Sequence, residues 1–284
     1  MHTGITEFAP AKINLALHVI GRRMDGYHEL DSIVTFADVG DELHIVPGAK
    51  FSITASGPFA HLLPAPKDNI VFAAYEMAAH MVAARGIKPP SARVELVKNL
   101  PVAAGIGGGS ADAAATLRGY LRFAGIGKTG DEISAAALAL GADVPVCLAG
   151  RACRMRGMGE RLTPLQDFKP LHAVLVNPMI EVQTSAVFGK LELAKGEGHG
   201  ASLAGLRDAT GWRNDLTAPA LALAPAIAVV IQAVENREGL RFARMSGSGP
   251  TCFGVFENPD AAREAARAIS ASHPQWWVRR ATLS

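Results

Sequence analysis

The sequence predicts an α+β protein, and three observations carry that expectation. A strand-like alternation runs through residues 11–19, a glycine-rich loop leads directly into an alanine-rich helix after Pro101, and strands and helical segments alternate from Leu171 onward. With 284 residues the chain is long enough for two hydrophobic cores or one large one. Hydrophobic residues make up 49% and charged residues 19%, spread throughout, which predicts a globular chain rather than a disordered one.

Taken in order, β-branched and alternating residues predict a strand from Ala11 to Val19, a turn over residues 21–26 and a second strand from His28. Met24-Asp25-Gly26 is hairpin-turn chemistry. A helix over 69–85 and a strand over 93–98 precede the glycine loop and its helix. A further helix over 131–140 and a short apolar strand over 144–148 follow. The second series opens with a strand at 171–178 and continues with helical segments between Thr184 and Arg237. Strands at 241–245 and 251–257, a helix at 259–271 and a strand at 276–282 complete it. The polar run KGEGHG, residues 195–200, is expected to be a mobile surface loop. The almost wholly apolar run from Leu216 to Ile231 contains Pro219 and Pro225 and is shorter than the about 20 residues a spanning helix needs. A buried core helix is the expectation there. No repeat at a solenoid period is visible.

The most informative stretch is PVAAGIGGGSADAAATL, from Pro101 to Leu117. Glycines at 105, 107, 108 and 109 can take positive φ and let the backbone lie close to a ligand. The helix behind them offers unpaired N–H groups and the positive end of its dipole, with Ser110 expected as its N-cap. Such a loop cradles phosphate. It is not a dinucleotide fingerprint, because the third glycine position holds Ser110 or Asp112 depending on where the count begins. Nor is there a Walker loop. In Gly127-Lys128-Thr129 the required upstream glycine position is Arg122, and a helix precedes it, so that triplet is expected to be a helix-to-helix turn.

Other residues stand out by type and position. Lys12 and Asn14 project from the same face of the first strand, marking either a site or a half-exposed edge. Tyr27 and His28 combine an aromatic face with an imidazole, which serves either packing or the grip of a nucleobase. Asp143, between a helix and an apolar run, is either a turn residue or a carboxylate available as a general base. Lys12 could pair with such a base and keep it ionised.

The glycine loop, with the pattern P-x-x-x-G-I-G-G-G-S-A, resembles the nucleotide-binding motif of the GHMP small-molecule kinases, whose members include galactose, homoserine, mevalonate and phosphomevalonate kinases. Ile106 stands where leucine is usual, a swap of equal volume. AKINL at 11–15, DGYH at 25–28, GADVP at 141–145 and SGSGP at 246–250 extend the resemblance in matching order over residues 8 to 257. It implies two α+β domains, a nucleotide-binding domain over 1–157 and a ferredoxin-like α/β sandwich over 158–284, with the active site in the cleft between them.

The resemblance further implies ATP as co-substrate, held by Pro101, Val102, Ala103, Ala104, Gly105, Ile106, Gly107, Gly108, Gly109, Ser110 and Ala111. It implies Mg²⁺ near Ser110, Asp143 as catalytic base, and Lys12 as its electrostatic partner. Ser246, Gly247, Ser248 and Gly249 are implied to close near the phosphates. The N-terminal motifs are similar to those of the branch that phosphorylates a cytidyl diphosphate alcohol, which implies Asn14, Tyr27, His28 and Phe188 as substrate-binding residues. Another GHMP kinase, acting on mevalonate, phosphomevalonate or homoserine, and a non-catalytic nucleotide-binding module are the alternatives.

Global features fit a small-molecule enzyme. A net charge of +2 is too mild to imply nucleic acid and suits an anionic substrate. Three cysteines without C-x-x-C spacing point away from a disulfide framework or structural zinc and toward a reducing cytoplasm. The N-terminus lacks a signal-peptide pattern, no membrane association is expected, and the oligomeric state is monomer or homodimer.

Overall fold

The structure is a computed structural model that describes residues 4–127, 130–205 and 211–284. Lys128 and Thr129 of the expected helix-to-helix turn, and residues 206–210 of the expected helical stretch, lie outside the described residues. The chain forms two compact units, each assembled from separated stretches. The first comprises Met1–Ala11, Gly40–Val102 and Gly107–Gly150; the second comprises Lys12–Val39, Ala103–Ile106 and Arg151–Ser284.

Two long strands begin the chain, β1 (Ile5–Arg22) and β2 (His28–Pro47), and they pair with each other. In the first unit, β3 (Ser52–Ser56) runs parallel to β4 (Ala92–Val97), and β4 runs antiparallel to the last part of β2, from Glu42 opposite Val97 to Pro47 opposite Ala92. Helix α1 (Ile70–Ala83) starts at Asn69, whose side chain accepts from the Val71 N–H at 3.0 Å and satisfies one orphan donor. It packs on α2 (Gly108–Phe123), whose alanines at 111 and 113–115 are buried and let the helices approach closely. Glu7, 5% exposed, holds Arg118 at 2.6 Å and Arg122 at 2.5 Å and so ties the start of β1 to α2.

Helix α3 (Asp131–Leu140) lies where it is expected. The next element is a correction: Val144–Ala149 is a helix, α4, not a strand. Six apolar residues suit either state by pattern. Pro145 in the first turn and Gly150 in the left-handed conformation after the last turn give a helix its start and stop.

In the second unit, the first part of β2 pairs antiparallel with β5 (Cys153–Gly157), and β5 with β6 (Arg161–Pro164). A second set of strands follows the order β10 (Trp277–Leu283), β7 (Leu171–Asn177), β9 (Cys252–Phe256) and β8 (Leu240–Met245), all antiparallel. Helices α5 (Thr184–Gly189), α6 (Thr217–Leu223) and α7 (Ala226–Glu235) lie between β7 and β8, and α8 (Pro259–Ser272) lies between β9 and β10. The topology is thus strand, helices, two strands, helix, strand. Val174, Val176, Ile227, Val230, Val234 and Ile269 share the core of this unit.

The apolar run from Leu216 to Ile231 is two helices rather than one buried helix. Pro225 stands at the N-cap of α7 after a break at Ala224, and Leu223 and Val229 are 46% and 50% exposed. The loop over 195–200 is an edge to β1. Its backbone exchanges hydrogen bonds with Val19, Ile20 and Arg22 at 2.7–3.0 Å. Among the described residues no helix is long and apolar enough to cross a membrane. Cys147, Cys153 and Cys252 are buried.

Candidate active site

The glycine loop begins at buried Pro101 and enters α2 through Gly107, which has φ 65° and is the residue before the first helical turn. Ser110 is therefore the third residue of the helix and not its N-cap, and Gly108 and Gly109 are already helical. Of the four glycines, only Gly105 and Gly107 take positive φ. The first intrahelical bond runs from the Ala111 N–H to the Gly107 carbonyl at 2.8 Å, so the N–H groups of Gly108, Gly109 and Ser110 form the unpaired first turn. An anion is attracted to such a turn by the N–H groups and by the helix dipole. Asp143, half-buried, precedes α4; its side chain makes no capping bond to that helix, while its carbonyl accepts from the Cys147 N–H at 3.2 Å.

Beneath that turn lies an ion cluster that sequence reasoning missed. Lys98, 2% exposed at the end of β4, places its Nζ 2.6 Å from Oδ2 of Asp41 and 2.6 Å from Oδ2 of Asp112. Asp41 also accepts from the Asn99 and Leu100 N–H groups at 2.6 and 2.8 Å, which fixes the approach to Pro101. A Cβ on Gly108 would lie 3.3 Å from the Lys98 ammonium, so the cluster sits directly against the first helical turn. One ammonium cannot neutralise two buried carboxylates. Burial, joined by the charge of Asp41 and opposed by Lys98, pushes Asp112 up to about 8. Burial works against the Lys98 charge, but the two carboxylates outweigh it and hold its pKa above the usual lysine value. The signal was present in the sequence as Lys98 three residues before Pro101 and Asp112 within the loop motif, but nothing local pairs them with Asp41.

The second unit brings together most of the remaining predicted residues. Lys12 and Asn14 do share one face of β1: Lys12 Nζ donates to Asn14 Oδ1 at 2.9 Å, and both side chains are buried. The Lys12 N–H donates to the Ile106 carbonyl at 2.9 Å, which joins β1 to the glycine loop. Residues 246–249 lie against Gly105. Ser246 Oγ donates to the Gly105 carbonyl at 3.1 Å and accepts from the Asn14 N–H at 3.1 Å. With φ 71°, and a Cβ position only 2.5 Å from the Gly249 carbonyl oxygen and 2.7 Å from that of Ser246, position 105 admits glycine alone. Asn214, also missed, holds the same loop by donating to the Met245 and Gly247 carbonyls, each at 2.8 Å.

At the other end of this loop, Ser248 Oγ lies 2.9 Å from Thr184 Oγ1 at the start of α5, the helix that carries Phe188. The Phe188 ring is 4.8 Å from that of His28, tilted by 32°. Burial, then the nearby Arg22 and His199, holds the His28 pKa below the usual histidine value, so its imidazole is neutral at pH 7. Tyr27 is 59% exposed beside the hairpin turn and is outside this ring pair. Arg22 spans the hairpin and the segment after α5, donating to the Gly26 carbonyl at 3.2 Å and the Leu193 carbonyl at 2.9 Å.

For a metal, Ser110 offers a hard hydroxyl oxygen in the first turn of α2. Among the described residues no group of three or more His, Cys, Asp or Glu is arranged to hold an ion. This donor set fits Mg²⁺, which keeps several waters and is commonly held through substrate phosphates.

Comparison with known proteins identifies the family. Residues 69–151 match the N-terminal domain of GHMP kinases, and residues 198–275 match the GHMP kinase C-terminal domain. The chain is 48% identical to 4-diphosphocytidyl-2-C-methyl-D-erythritol kinase of Dinoroseobacter shibae, over 96% of this chain and 93% of that protein. It is 44% identical to the enzyme of that name from Paramagnetospirillum magneticum, over 97% of each. A crystal structure of 4-(cytidine 5'-diphospho)-2C-methyl-D-erythritol kinase superposes with a TM-score of 0.79 at 33% identity, covering 98% of this chain and 99% of that one. Homoserine kinase from Cytophaga hutchinsonii, at 20% identity and a TM-score of 0.69 over 100% of this chain and 96% of that one, shares the fold. With both family domains present, and relatives this similar over nearly its whole length, the chain belongs to the GHMP kinases, in the family of 4-diphosphocytidyl-2-C-methyl-D-erythritol kinases.

Proposed function

We propose that this chain transfers the γ-phosphoryl group of ATP to the 2-hydroxyl of 4-diphosphocytidyl-2-C-methyl-D-erythritol, in the non-mevalonate route to isoprenoid precursors. The observation that carries the reading is the hydrogen-bonded run from Gly105 through Ser246 to Asn14 and Lys12, linked through Ser248 and Thr184 to the helix bearing Phe188. That run supports a single site with a phosphate end and an aromatic end.

Phosphoryl transfer demands positioning and charge stabilisation more than covalent chemistry. The N–H groups of Gly108, Gly109 and Ser110 take the ATP phosphates, and the loop over 246–249 closes the phosphate end. Asp143 accepts the proton of the acceptor hydroxyl. Lys12, oriented by Asn14, stabilises charge on the group in transfer. Neutral His28 and Phe188 hold the cytosine, the imidazole offering one donor and one acceptor to the base edge. Tyr27 adds a face from the hairpin. Ser110 would be among the residues holding an Mg²⁺ bound with ATP, which would supply neutralisation of phosphate charge.

In this reading residues 1–157 form the nucleotide-binding domain and 158–284 the C-terminal domain. The ligands are small molecules, with neither nucleic acid nor membrane among the partners. Three buried cysteines without C-x-x-C spacing fit a reducing cytoplasm.

The test is ADP release with Mg-ATP against 4-diphosphocytidyl-2-C-methyl-D-erythritol, mevalonate and homoserine, with Asp143→Asn as control. Turnover is expected on the cytidyl alcohol alone, and Asp143→Asn lowers kcat about 10²- to 10⁴-fold while ATP still binds. Turnover on mevalonate or homoserine overturns the substrate; near-normal turnover by Asp143→Asn overturns the base.

A further inference from the structure

Ser32 lies on β2, wholly buried, and decides which way a neighbouring amide points. A hydroxyl has one hydrogen, and that of Ser32 is committed to the Ala16 carbonyl at 2.6 Å. Only its lone pairs remain for Asn14, whose side chain lies 2.8 Å away. An amide oxygen turned toward Ser32 would set two acceptors against each other inside the protein. The Asn14 NH₂ therefore faces Ser32, and Oδ1 is turned to the opposite side, where Lys12 Nζ donates to it at 2.9 Å.

The polarity of this relay is over-determined. Lys12 is a donor only, so its end independently demands the amide oxygen. The Asn14 backbone is pinned as well, its N–H donating to Ser246 Oγ, so the side chain has little freedom except to flip its amide. Flipping is the one motion that Ser32 prevents. Asn14 and Ser32 have no exposed surface and Lys12 is 4% exposed, so water does not substitute freely for a lost partner.

We infer that Ser32 is a positioning residue for phosphoryl transfer: through the Asn14 amide it sets the place of the Lys12 ammonium. The inference rests on the role given to Lys12 above. Ser32 touches neither substrate nor ATP in this reading, so its loss acts on turnover rather than on nucleotide affinity.

The experiment is steady-state kinetics on the full chain with Mg-ATP and the cytidyl alcohol, using Ser32→Ala, Ser32→Thr, Ser32→Cys and Lys12→Met. Ser32→Ala removes the acceptor and lowers kcat about 10- to 100-fold, the scale of a misplaced catalytic group, with KM for ATP within about twofold. Ser32→Thr keeps the hydroxyl and restores kcat to within about threefold of the parent. Ser32→Cys keeps the size but offers a weak acceptor, and answers the question if the alanine variant does not fold. In an Asn14→Ala background, Ser32→Ala costs nothing further, because the relay is already cut.

Parental turnover by Ser32→Cys or Ser32→Ala overturns the inference. So does a Ser32→Thr variant as slow as the alanine one, or losses at 14 and 32 that multiply. Lys12→Met separates the two levels. If it turns over normally, the role given to Lys12 fails; if it is inactive while the Ser32 variants are normal, only the Ser32 inference fails.

Discussion

Replacing Gly105 with alanine tests whether the glycine loop and the loop over 246–249 are as tightly apposed as their hydrogen bonds indicate. Two costs add. At φ 71° an L-residue is in the left-handed region, worth about 1–2 kcal/mol against alanine. The new Cβ would also lie 2.5 Å from the Gly249 carbonyl oxygen, 2.7 Å from the Ser246 carbonyl oxygen and 2.8 Å from the Gly249 nitrogen. All three are backbone atoms, so no side chain can swing aside and the loops must part, an overpacking cost of about 1–3 kcal/mol. The total is about 2–5 kcal/mol. Gly86 supplies the control, since it has φ 73° and nothing within 4 Å of its Cβ position, so Gly86→Ala carries only the backbone cost. Both substitutions stiffen the unfolded chain by a similar amount, which cancels in the comparison. Urea unfolding should show Gly105→Ala less stable than Gly86→Ala by about 1–3 kcal/mol. Kinetics should show kcat/KM reduced about 100-fold in Gly105→Ala alone, as expected for a shift of about 1 Å in a phosphate-binding loop. Equal unfolding energies and equal turnover in the two variants would refute the close apposition.

His28→Ala and Phe188→Ala should each raise KM for the cytidyl alcohol about 5- to 150-fold, the value of one base–aromatic stack, and leave KM for ATP unchanged; equal effects on both substrates would remove the base-binding assignment. Asp112, with its pKa raised from the ordinary 3.8 to about 8, binds a proton in the folded chain that the unfolded chain has released. Stability therefore falls as pH rises between those values. Asp112→Asn should flatten that fall in melting curves from pH 5 to pH 9, whereas parallel curves for variant and parent would count against the buried proton. Asn69→Ala removes the cap of α1 and should lower the unfolding free energy by about 0.5–2 kcal/mol without altering KM for either substrate.

Much of the chain was legible residue by residue. The helix that begins after Asn69, the helix over Asp131–Leu140, the strand at Leu171–Asn177 and the Pro259 start of α8 follow from signals within a few neighbours. The glycine loop belongs to the same class, since its tight spacing and the helix that follows are local signals. The shared face of Lys12 and Asn14 followed from strand periodicity alone. The chain's order of motifs was sufficient to place it among the GHMP kinases.

The features that folding alone settles depend on partners far apart in sequence. Asn14 meets Ser246 across 232 positions, and Lys98 meets Asp41 across 57; no local pattern encodes either pairing. Val144–Ala149 became a helix because start and stop residues settled a pattern that fits two states, and the apolar run from Leu216 broke where Pro225 interrupts it. Ser32 carried no signal at all as a serine in a strand. Its role exists only because folding sets its one hydrogen on Ala16 and its lone pairs on Asn14.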